Sequence, residues 1–351
     1  MKNKKRWISA VLVIVALLGV LFYRYGRPQM EQYTATFLDV FDTKTDIIGY
    51  ADSEEDFKEQ VSLLKDKLEE YHKLFDIYNN YEGMNNIKTI NDNAGIAPVK
   101  VDKEIIRLLK LSKDMYDKTD GQINVVMGSV LKIWHLYRKE GIDYPQKAQL
   151  PDMADLQAAS KHMDIRQMII DEDASTVYLA DENMSIDVGS IGKGYAVQKT
   201  ADYAKELGME HVLLSVGGNI CAVGSRIDGT DWRLGIQNPD LGSDTAYVKK
   251  VQFSDMSLVT SGDYQRYYVV DGVRYCHIID GDTLMPAGYF ASVSILADDS
   301  GVADALSTAV FNMSFEEGLT FVNALEGVEA VWIMHDGSIH YSEHFKDYIL
   351  E

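Results

Sequence analysis

The sequence has little cysteine and no surplus of positive charge. Cys221 and Cys276 are the two cysteines among 351 residues. They form no Cys-x-x-Cys motif and have no histidine pair nearby, so they are not a metal-binding motif, and the sequence leaves open whether they pair. The formal net charge is −20. Nucleic acid is therefore not an expected partner, because proteins that bind it need Lys and Arg to neutralise its phosphates.

The N-terminus differs from the rest of the chain. An apolar run over residues 7–23 follows Lys2, Lys4, Lys5 and Arg6. It has no nearby cysteine, which excludes a lipoprotein anchor, and no clear cleavage site, which favours an uncleaved signal-anchor over a cleaved signal peptide. We therefore expect a cytoplasmic basic stub and signal-anchor helix over residues 1–30. Residues 31–351 would form an extracytoplasmic domain of a single-pass cell-membrane protein.

The remaining sequence shows no internal repeat and lacks the βαβ rhythm of a doubly wound nucleotide-binding fold. Apolar spacing instead predicts helices and antiparallel strand pairs, so the predicted fold class is α+β with mostly antiparallel strands. The predicted helices lie within residues 53–78, 102–121, 125–141, 194–208 and 300–314. The predicted strands and hairpins lie within residues 34–50, 175–189, 211–225, 266–280, 290–299 and 329–341. Residues 79–95 are rich in loop-forming residues, and residues 141–161 form a polar stretch.

The glycine-rich stretch DVGSIGKGYAVQK, residues 187–199, is the first candidate site. It matches neither the Walker A motif nor G-x-G-x-x-G. A strand ending near Ile186 and a helix starting near Tyr195 would nevertheless point free N–H groups at this turn, and Lys193 adds a positive charge. Asp187 would repel a phosphate but accept hydrogen bonds from a base or ribose. The alternative is an ordinary turn with a solvated lysine.

Three further features carry candidate chemistry. Asp304, Ser307 and Thr308 share one helix face, and their oxygens suit a hard cation, although the hydroxyls could instead bond to helix carbonyls. His277 could act as a general base or be a structural strand residue. Tyr78 and Asn91, in a loop-rich segment, could meet a flat heterocycle or be surface turn residues.

The order of these motifs along the chain resembles the FAD:protein FMN transferases, the ApbE family. Seven blocks between residues 37 and 313 carry the resemblance: FDT (41–43), FDIY with NNIKTIN (75–91), TDGQINVVMGSVLKIW (119–134), DVGSIGKGYAVQK (187–199), LLSVGGNI (213–220), TSGDYQRYY with YCHIID (260–280) and DSGVADALSTAVF (299–311). The resemblance implies a two-part α+β fold enclosing one FAD with Mg²⁺ at its pyrophosphate. It also implies cleavage of that pyrophosphate, transfer of FMN to a Thr or Ser hydroxyl of an acceptor protein, and release of AMP.

The resemblance also assigns roles to residues. Asp304 and His277 would be catalytic, with His277 the base for the acceptor hydroxyl. Asp187 would bind the adenine side of FAD, and Asn91 matches a position linked with the balance between transfer and hydrolysis. The implied FAD contacts are Phe41, Tyr78, Asn91, Gln122, Ile123, Asn124, Asp187, Lys193, His277 and Ile278. The implied metal ligands are the Ser190 carbonyl, Asp304, Ser307 and Thr308.

Three positions depart mildly from the family pattern. Phe41 stands where a methionine is frequent, Asn124 where an acid is frequent, and Ser307 where a second acid sometimes occurs. The leading hypothesis is a membrane-anchored, Mg²⁺-dependent FMN transferase that uses FAD and acts on an extracytoplasmic flavoprotein. The alternatives are an FAD pyrophosphatase that yields FMN and AMP, and a flavin-binding protein without turnover.

Overall fold

The computed structural model describes residues 30–350. The predicted signal-anchor over residues 7–23 lies outside the described residues, and the domain boundary near residue 30 stays a prediction. Within residues 30–350, no helix combines the length and the apolar character needed to cross a membrane.

Fifteen strands form four sheets within the described part of the chain. The strands are β1 (Glu31–Val40), β2 (Thr43–Ala51), β3 (Val99–Lys100), β4 (Met168–Asp171), β5 (Thr176–Leu179), β6 (Val212–Val216), β7 (Asn219–Val223), β8 (Trp232–Gln237), β9 (Tyr247–Phe253), β10 (Ser257–Gly262), β11 (Tyr267–Val270), β12 (Val273–Cys276), β13 (Ser292–Ala297), β14 (Glu329–Ile333) and β15 (Ile339–Tyr341). The main sheet has the order β1-β2-β6-β7-β10-β13-β14-β15. All of its neighbouring strands are antiparallel, which confirms the predicted pairing mode.

Eight α-helices accompany these strands within residues 30–350. They are α1 (Glu54–Phe75), α2 (Ile87–Asp92), α3 (Lys103–Lys118), α4 (Gly128–Asp143), α5 (Met153–Ser160), α6 (Gly192–Glu206), α7 (Ser300–Asn312) and α8 (Phe315–Asn323). Helix α1 forms where the sequence predicts it, because its apolar residues recur at helical spacing and the side chain of Ser53 caps its N-terminus.

Both faces of the main sheet are covered, and this explains why every residue of β13 is buried. Ile295 belongs to the large core that the sheet forms with α1, α6 and α7. Leu296 points to the opposite face and belongs to a smaller core with Trp232 and Phe253 of the β8–β9 hairpin. Alternate residues of one strand thus enter two cores, as the two-residue period of a strand requires.

The cysteines, whose pairing the sequence leaves open, are both free and buried. Burial raises the pKa of each thiol to about 11. Both thiols are therefore protonated at neutral pH and behave as small apolar side chains.

Four local predictions need correction. The predicted hairpin at residues 175–189 is wrong in its second half, because only Thr176–Leu179 forms a strand there, between β3 and β4. The predicted loop-rich segment at residues 79–95 contains the short helix α2. Helix α6 begins at Gly192, three residues before the predicted start. His277 follows the last residue of β12 rather than lying on a strand.

Candidate active site

The turn that leads into α6 forms the centre of the candidate site. Asp187 donates its backbone N–H to the carbonyl of Val125 (2.8 Å), and its Oδ1 accepts the N–H of Gly189 (2.9 Å). No side chain caps the N-terminus of α6 at Ile191. The first turn of this helix therefore directs a partial positive charge at the turn, although the Gly192 N–H already donates to the Val188 carbonyl (2.7 Å).

Asp304 is held against this turn by a close helix contact. The backbone N–H of Gly194 donates to Asp304 Oδ2 (2.7 Å), and the Asp304 side chain is only 5% exposed. A Cβ at position 194 would lie 2.2 Å from the Ser300 carbonyl oxygen and 2.4 Å from the Asp304 Cβ. Only glycine therefore lets α6 and α7 approach this closely.

The predicted metal face of α7 has one carboxylate and two hydroxyls. Ser307 is fully buried, and its Oγ donates to the Asp304 carbonyl (2.9 Å) and lies 2.8 Å from Ser261 Oγ. Thr308 is half-buried. Within residues 30–350, no three His, Cys, Asp or Glu side chains cluster in a way that could hold a metal ion. The oxygen set suits Mg²⁺, provided that substrate oxygens and water complete its coordination.

Lys193 connects this turn to the main sheet. Its Nζ donates to Asn219 Oδ1 (2.9 Å) at the start of β7. Burial lowers the pKa of Lys193, while the nearby carboxylate of Asp304 acts in the opposite direction. Gly217, two residues before Asn219, has a φ of +54°, and a Cβ at position 217 would lie 2.4 Å from Thr43 Oγ1. The β6–β7 turn therefore packs directly against the beginning of β2.

The β1–β2 turn contains two non-glycine residues in the left-handed region. Phe41 has a φ of 52° and Asp42 a φ of 51°. Left-handed φ values are uncommon for bulky residues and often mark functional sites. His72 fixes this turn, because its Nδ1 accepts the Phe41 N–H (3.1 Å) and its ring lies edge-on to Phe41 with centroids 5.5 Å apart.

Tyr78 lies against α4 rather than in an isolated surface loop. Its ring is 61% exposed, and its hydroxyl is 3.4 Å from His135 Nδ1. Arg138 Nη2 is 3.3 Å from the same nitrogen. His135 and Arg138 also tend to lower the pKa of Asp187, but burial outweighs them and raises it. Tyr78 and Asp187, widely separated in sequence, thus share one charged environment.

His277 lies among positive charges. Burial, followed by the charges of Arg266, Arg138 and Lys193 in that order of effect, lowers its pKa to about 3. Its Nδ1 is buried without a hydrogen-bond partner among residues 30–350. The imidazole is therefore neutral at pH 7 and has a lone pair that no described residue uses.

Of the other predicted contacts, Asn91 and Asn124 are hydrogen-bonded within the protein, whereas the buried Oε1 of Gln122 has no partner among residues 30–350. Asn91 accepts the Ile186 N–H (2.7 Å) and donates to the Ile186 carbonyl (2.9 Å). Asn124 Nδ2 donates to the Met163 carbonyl (2.9 Å), and Gln122 Nε2 is 3.4 Å from Asp282 Oδ2. The remaining two, Ile123 and Ile278, are 1% and 6% exposed. Asn91 and Asn124 therefore join segments that are distant in sequence.

Arg138 and Arg266 are positively charged groups that the sequence reasoning missed. Neither forms an ion pair with a carboxylate of residues 30–350, although the protein has a net charge of −20. Each arginine alone resembles an ordinary surface residue. Their convergence with Lys193 around His277 appears only in three dimensions.

Comparisons with known proteins agree with the resemblance. The sequence model of the ApbE family matches residues 41–332. An FAD:protein FMN transferase of Treponema pallidum is 34% identical over 271 residues, which cover 73% of this chain and 72% of that protein. One from Klebsiella pneumoniae is 27% identical over 275 residues, covering 76% and 83%. The crystal structure of the Thermotoga maritima ApbE protein superimposes with a TM-score of 0.80 at 27% identity, covering 92% of this chain and 100% of that one.

Proposed function

Because this chain belongs to the ApbE family and is an FAD:protein FMN transferase, we propose that it transfers FMN to a Thr or Ser hydroxyl of a flavoprotein, with Mg²⁺ at the diphosphate of FAD and with release of AMP. The observation that carries this proposal is the convergence of Arg266, Arg138 and Lys193 around His277. Beside Lys193, the buried carboxylate of Asp304 contacts the first turn of α6.

The cations supply what a diphosphate needs. Lys193, Arg138 and Arg266 have no carboxylate ion-pair partner among residues 30–350. Lys193 and Arg138 are partly buried, whereas Arg266 is exposed. Partial burial of a positive charge without a partner is unfavourable unless an anion compensates it. The diphosphate of FAD is such an anion, and the N-terminus of α6 adds its partial positive charge beside Lys193. We infer that the diphosphate lies between α6 and the two arginines.

Asp304 is the residue best suited to hold Mg²⁺ beside that diphosphate. Gly194 occupies its Oδ2, and its Oδ1 has no hydrogen bond to the described residues. The Ser190 carbonyl and the Ser307 and Thr308 hydroxyls are the further oxygen ligands that we propose. Mg²⁺ there would stabilise negative charge on the diphosphate oxygens as the bond to AMP breaks.

His277 is the proposed base for the acceptor hydroxyl. A bond forms between the hydroxyl oxygen and the phosphorus of FMN, the bond between that phosphorus and AMP breaks, and the imidazole takes the hydroxyl proton. A pKa of about 3 makes the free imidazole a weak base. Binding of an anionic diphosphate offsets the surrounding cations and raises this pKa, so the base becomes stronger once substrate is present.

We further propose that the domain acts outside the cytoplasm, held by an N-terminal anchor. The basic residues before the apolar run at 7–23 support this orientation. Protease added to intact cells should degrade the domain but leave a cytoplasmic control protein whole. A domain that remains protected until the cells are lysed would contradict this location.

The central test is the intact mass of a candidate acceptor flavoprotein after incubation with the protein, FAD and Mg²⁺. We expect a mass gain of one FMN together with free AMP, and loss of both on chelation of the metal. Asp304→Ala and His277→Ala should abolish labelling, whereas Asp298→Ala, at an exposed acid just before α7, should not.

The alternatives give different products in this assay. An FAD pyrophosphatase releases FMN and AMP but leaves the acceptor unlabelled. A flavin-binding protein retains FAD and releases no AMP. Labelling that survives both Asp304→Ala and His277→Ala would mean that the reaction centre lies elsewhere.

A further inference from the structure

The two edges of the main sheet differ in length. At one edge, β15 has three residues, whereas at the other, β1 has ten. A sheet edge presents unpaired N–H and C=O groups that another strand can use, and natural proteins usually shorten or protect it. The β15 edge is shortened in this way, and the β1 edge is not.

The strand register identifies the free groups of β1. The Gly217 N–H bonds to the Lys44 carbonyl, and the Tyr50 N–H bonds to the His211 carbonyl, so even-numbered residues of β2 face β6. Odd-numbered residues of β2 therefore face β1, where Thr45 is paired with Phe37. The alternating pattern of an antiparallel ladder then turns the backbone groups of the intervening β1 residues outward. These outward residues are Gln32, Thr34 and Thr36, and all three are exposed.

The middle of this edge has none of the usual protection. Residues 32–37 (QYTATF) contain no charged residue and no proline. Threonine and aromatic residues, which favour strands, predominate. A β-bulge and the carboxylate of Asp39 occur only at the end of β1. No backbone hydrogen bond joins the outward groups to another described residue. An arriving strand would thus find a row of donors and acceptors in regular register.

We propose that the β1 edge docks the acceptor polypeptide by strand addition, an inference that rests on the proposed function. A transferase that acts on proteins must hold a polypeptide near its FAD, and a strand is the partner that such an edge fits. β1 leads to the Phe41–Asp42 turn, and β2, which follows, packs at Thr43 against the β6–β7 turn beside Lys193. A strand docked on β1 is therefore aligned with the reaction centre.

The sheet geometry sets the position of the target hydroxyl. Neighbouring strands are about 4.8 Å apart, so a docked strand lies three spacings, or about 14 Å, from β6. An extended chain covers about 3.3 Å per residue. The modified Thr or Ser is then expected at least about four or five residues beyond the docked segment, in a loop that reaches the cleft.

Thr34→Pro tests the docking edge while preserving the β1–β2 ladder. It removes an outward N–H, and its ring obstructs an added strand. Thr34→Ala is the matched control, because it removes the side chain but keeps the N–H. Using the acceptor that the wild-type protein labels, we expect Thr34→Pro to raise the KM for acceptor about tenfold or more. The KM for FAD and the kcat should stay unchanged, and Thr34→Ala should stay within about twofold of wild type in each value.

A second test measures amide hydrogen exchange in the full-length wild-type protein, with and without bound acceptor, and so needs no substitution in the transferase. The probe is the same acceptor with its target residue replaced by alanine, so that it binds without being labelled. The amides of Gln32, Thr34 and Thr36 should exchange rapidly in the free protein and slowly in the complex. The amides of Tyr33 and Ala35, already in the ladder, should change little.

The outcomes separate this inference from the proposed function. If wild-type protein labels no acceptor, the proposed function fails and the docking inference fails with it. If labelling is normal but the outward amides remain fast and Thr34→Pro has the wild-type KM, only the docking inference is overturned. The docking inference is also overturned if the outward amides are already protected before acceptor is added, either by a second copy of the chain or by residues 1–29.

Discussion

Gly194→Ala should disrupt both the stability and the chemistry of this protein, because position 194 is where α6 and α7 meet. The new methyl carbon would lie 2.2 Å from the Ser300 carbonyl oxygen and 2.4 Å from the Asp304 Cβ. An ordinary carbon contact is well over 3 Å, so the two helices must separate locally by about 1 Å. That separation also stretches the 2.7 Å bond between the Gly194 N–H and Asp304 Oδ2.

The magnitude follows from three effects. Overpacking destabilises a protein by about 1–3 kcal/mol. Loss of a hydrogen bond to a charged group costs about 1.5–3 kcal/mol. The higher helix propensity of alanine offsets about 1 kcal/mol of this. The free energy of unfolding should therefore fall by about 1.5–5 kcal/mol. A 1 Å displacement of Asp304 should also reduce the rate of FMN transfer about 100-fold.

Urea denaturation and the acceptor-labelling rate measure these two effects. Gly288→Ala is the control for stability, because a Cβ there meets nothing within 4 Å and its φ lies outside the left-handed region. It should change the free energy of unfolding by no more than about 0.5 kcal/mol. If Gly194→Ala unfolds at the wild-type midpoint and labels acceptor at the wild-type rate, the described contact between α6 and α7 is wrong.

Further predictions concern the cations and the walls of the site. Arg266→Gln should raise the KM for FAD at least about tenfold in steady-state assays, whereas Arg166→Gln, at an exposed arginine paired with its neighbour Asp164, should not. Removing the Arg266 charge should also raise the pKa of His277, so the acidic limb of the pH–rate profile should move to higher pH. A limb that stays fixed or moves to lower pH would contradict this. Asn91→Leu removes two hydrogen bonds to Ile186 and should lower the free energy of unfolding by about 1–3 kcal/mol in urea titrations. An unchanged midpoint would show that these bonds add nothing to stability.

Local sequence patterns predicted the elements that local interactions form. The Asp271–Gly272 and Asp336–Gly337 pairs lie at hairpin turns. Asp271 and Gly272 both have the left-handed φ values that a two-residue turn requires (49° and 81°), whereas in the second pair only Gly337 does (82°). Helix α1 formed where its apolar spacing and its Ser53 cap indicated. Each of these signals lies within a few residues of the structure that it specifies.

The incorrect predictions depend on contacts between distant segments. Residues 183–187 alternate like a strand, but Asn91 bonds to the backbone of Ile186 across 95 positions of sequence. Ser185 meets Met127 in an isolated bridge. The Asn91 side chain and the single bridge to Met127 thus bind this segment, in place of the paired strand that the alternating pattern predicts. No window around residue 186 contains that information.

The candidate site was predictable only in part for a related reason. Lys193 and Asp304 stood out because each belongs to a recognisable motif, and the structure places both motifs at one helix junction. Arg138 lies outside the motifs that we identified, and Arg266 lies in the TSGDYQRYY block without an assigned role. Their candidacy depends on the lack of a carboxylate ion-pair partner among residues 30–350, which is a property of the folded chain rather than of a sequence window.

The left-handed turn at Phe41 and Asp42 has a consequence for protein engineering. Asn-Gly is the pair that such two-residue turns favour, and releasing a non-glycine residue from this backbone region is worth roughly 1 kcal/mol. Replacing Phe41-Asp42 with Asn-Gly should therefore yield a more heat-resistant protein. The same change deletes the aromatic ring that His72 holds edge-on, at a position proposed to face the flavin. Selection for thermostability alone would thus favour a sequence that gives up part of the substrate site.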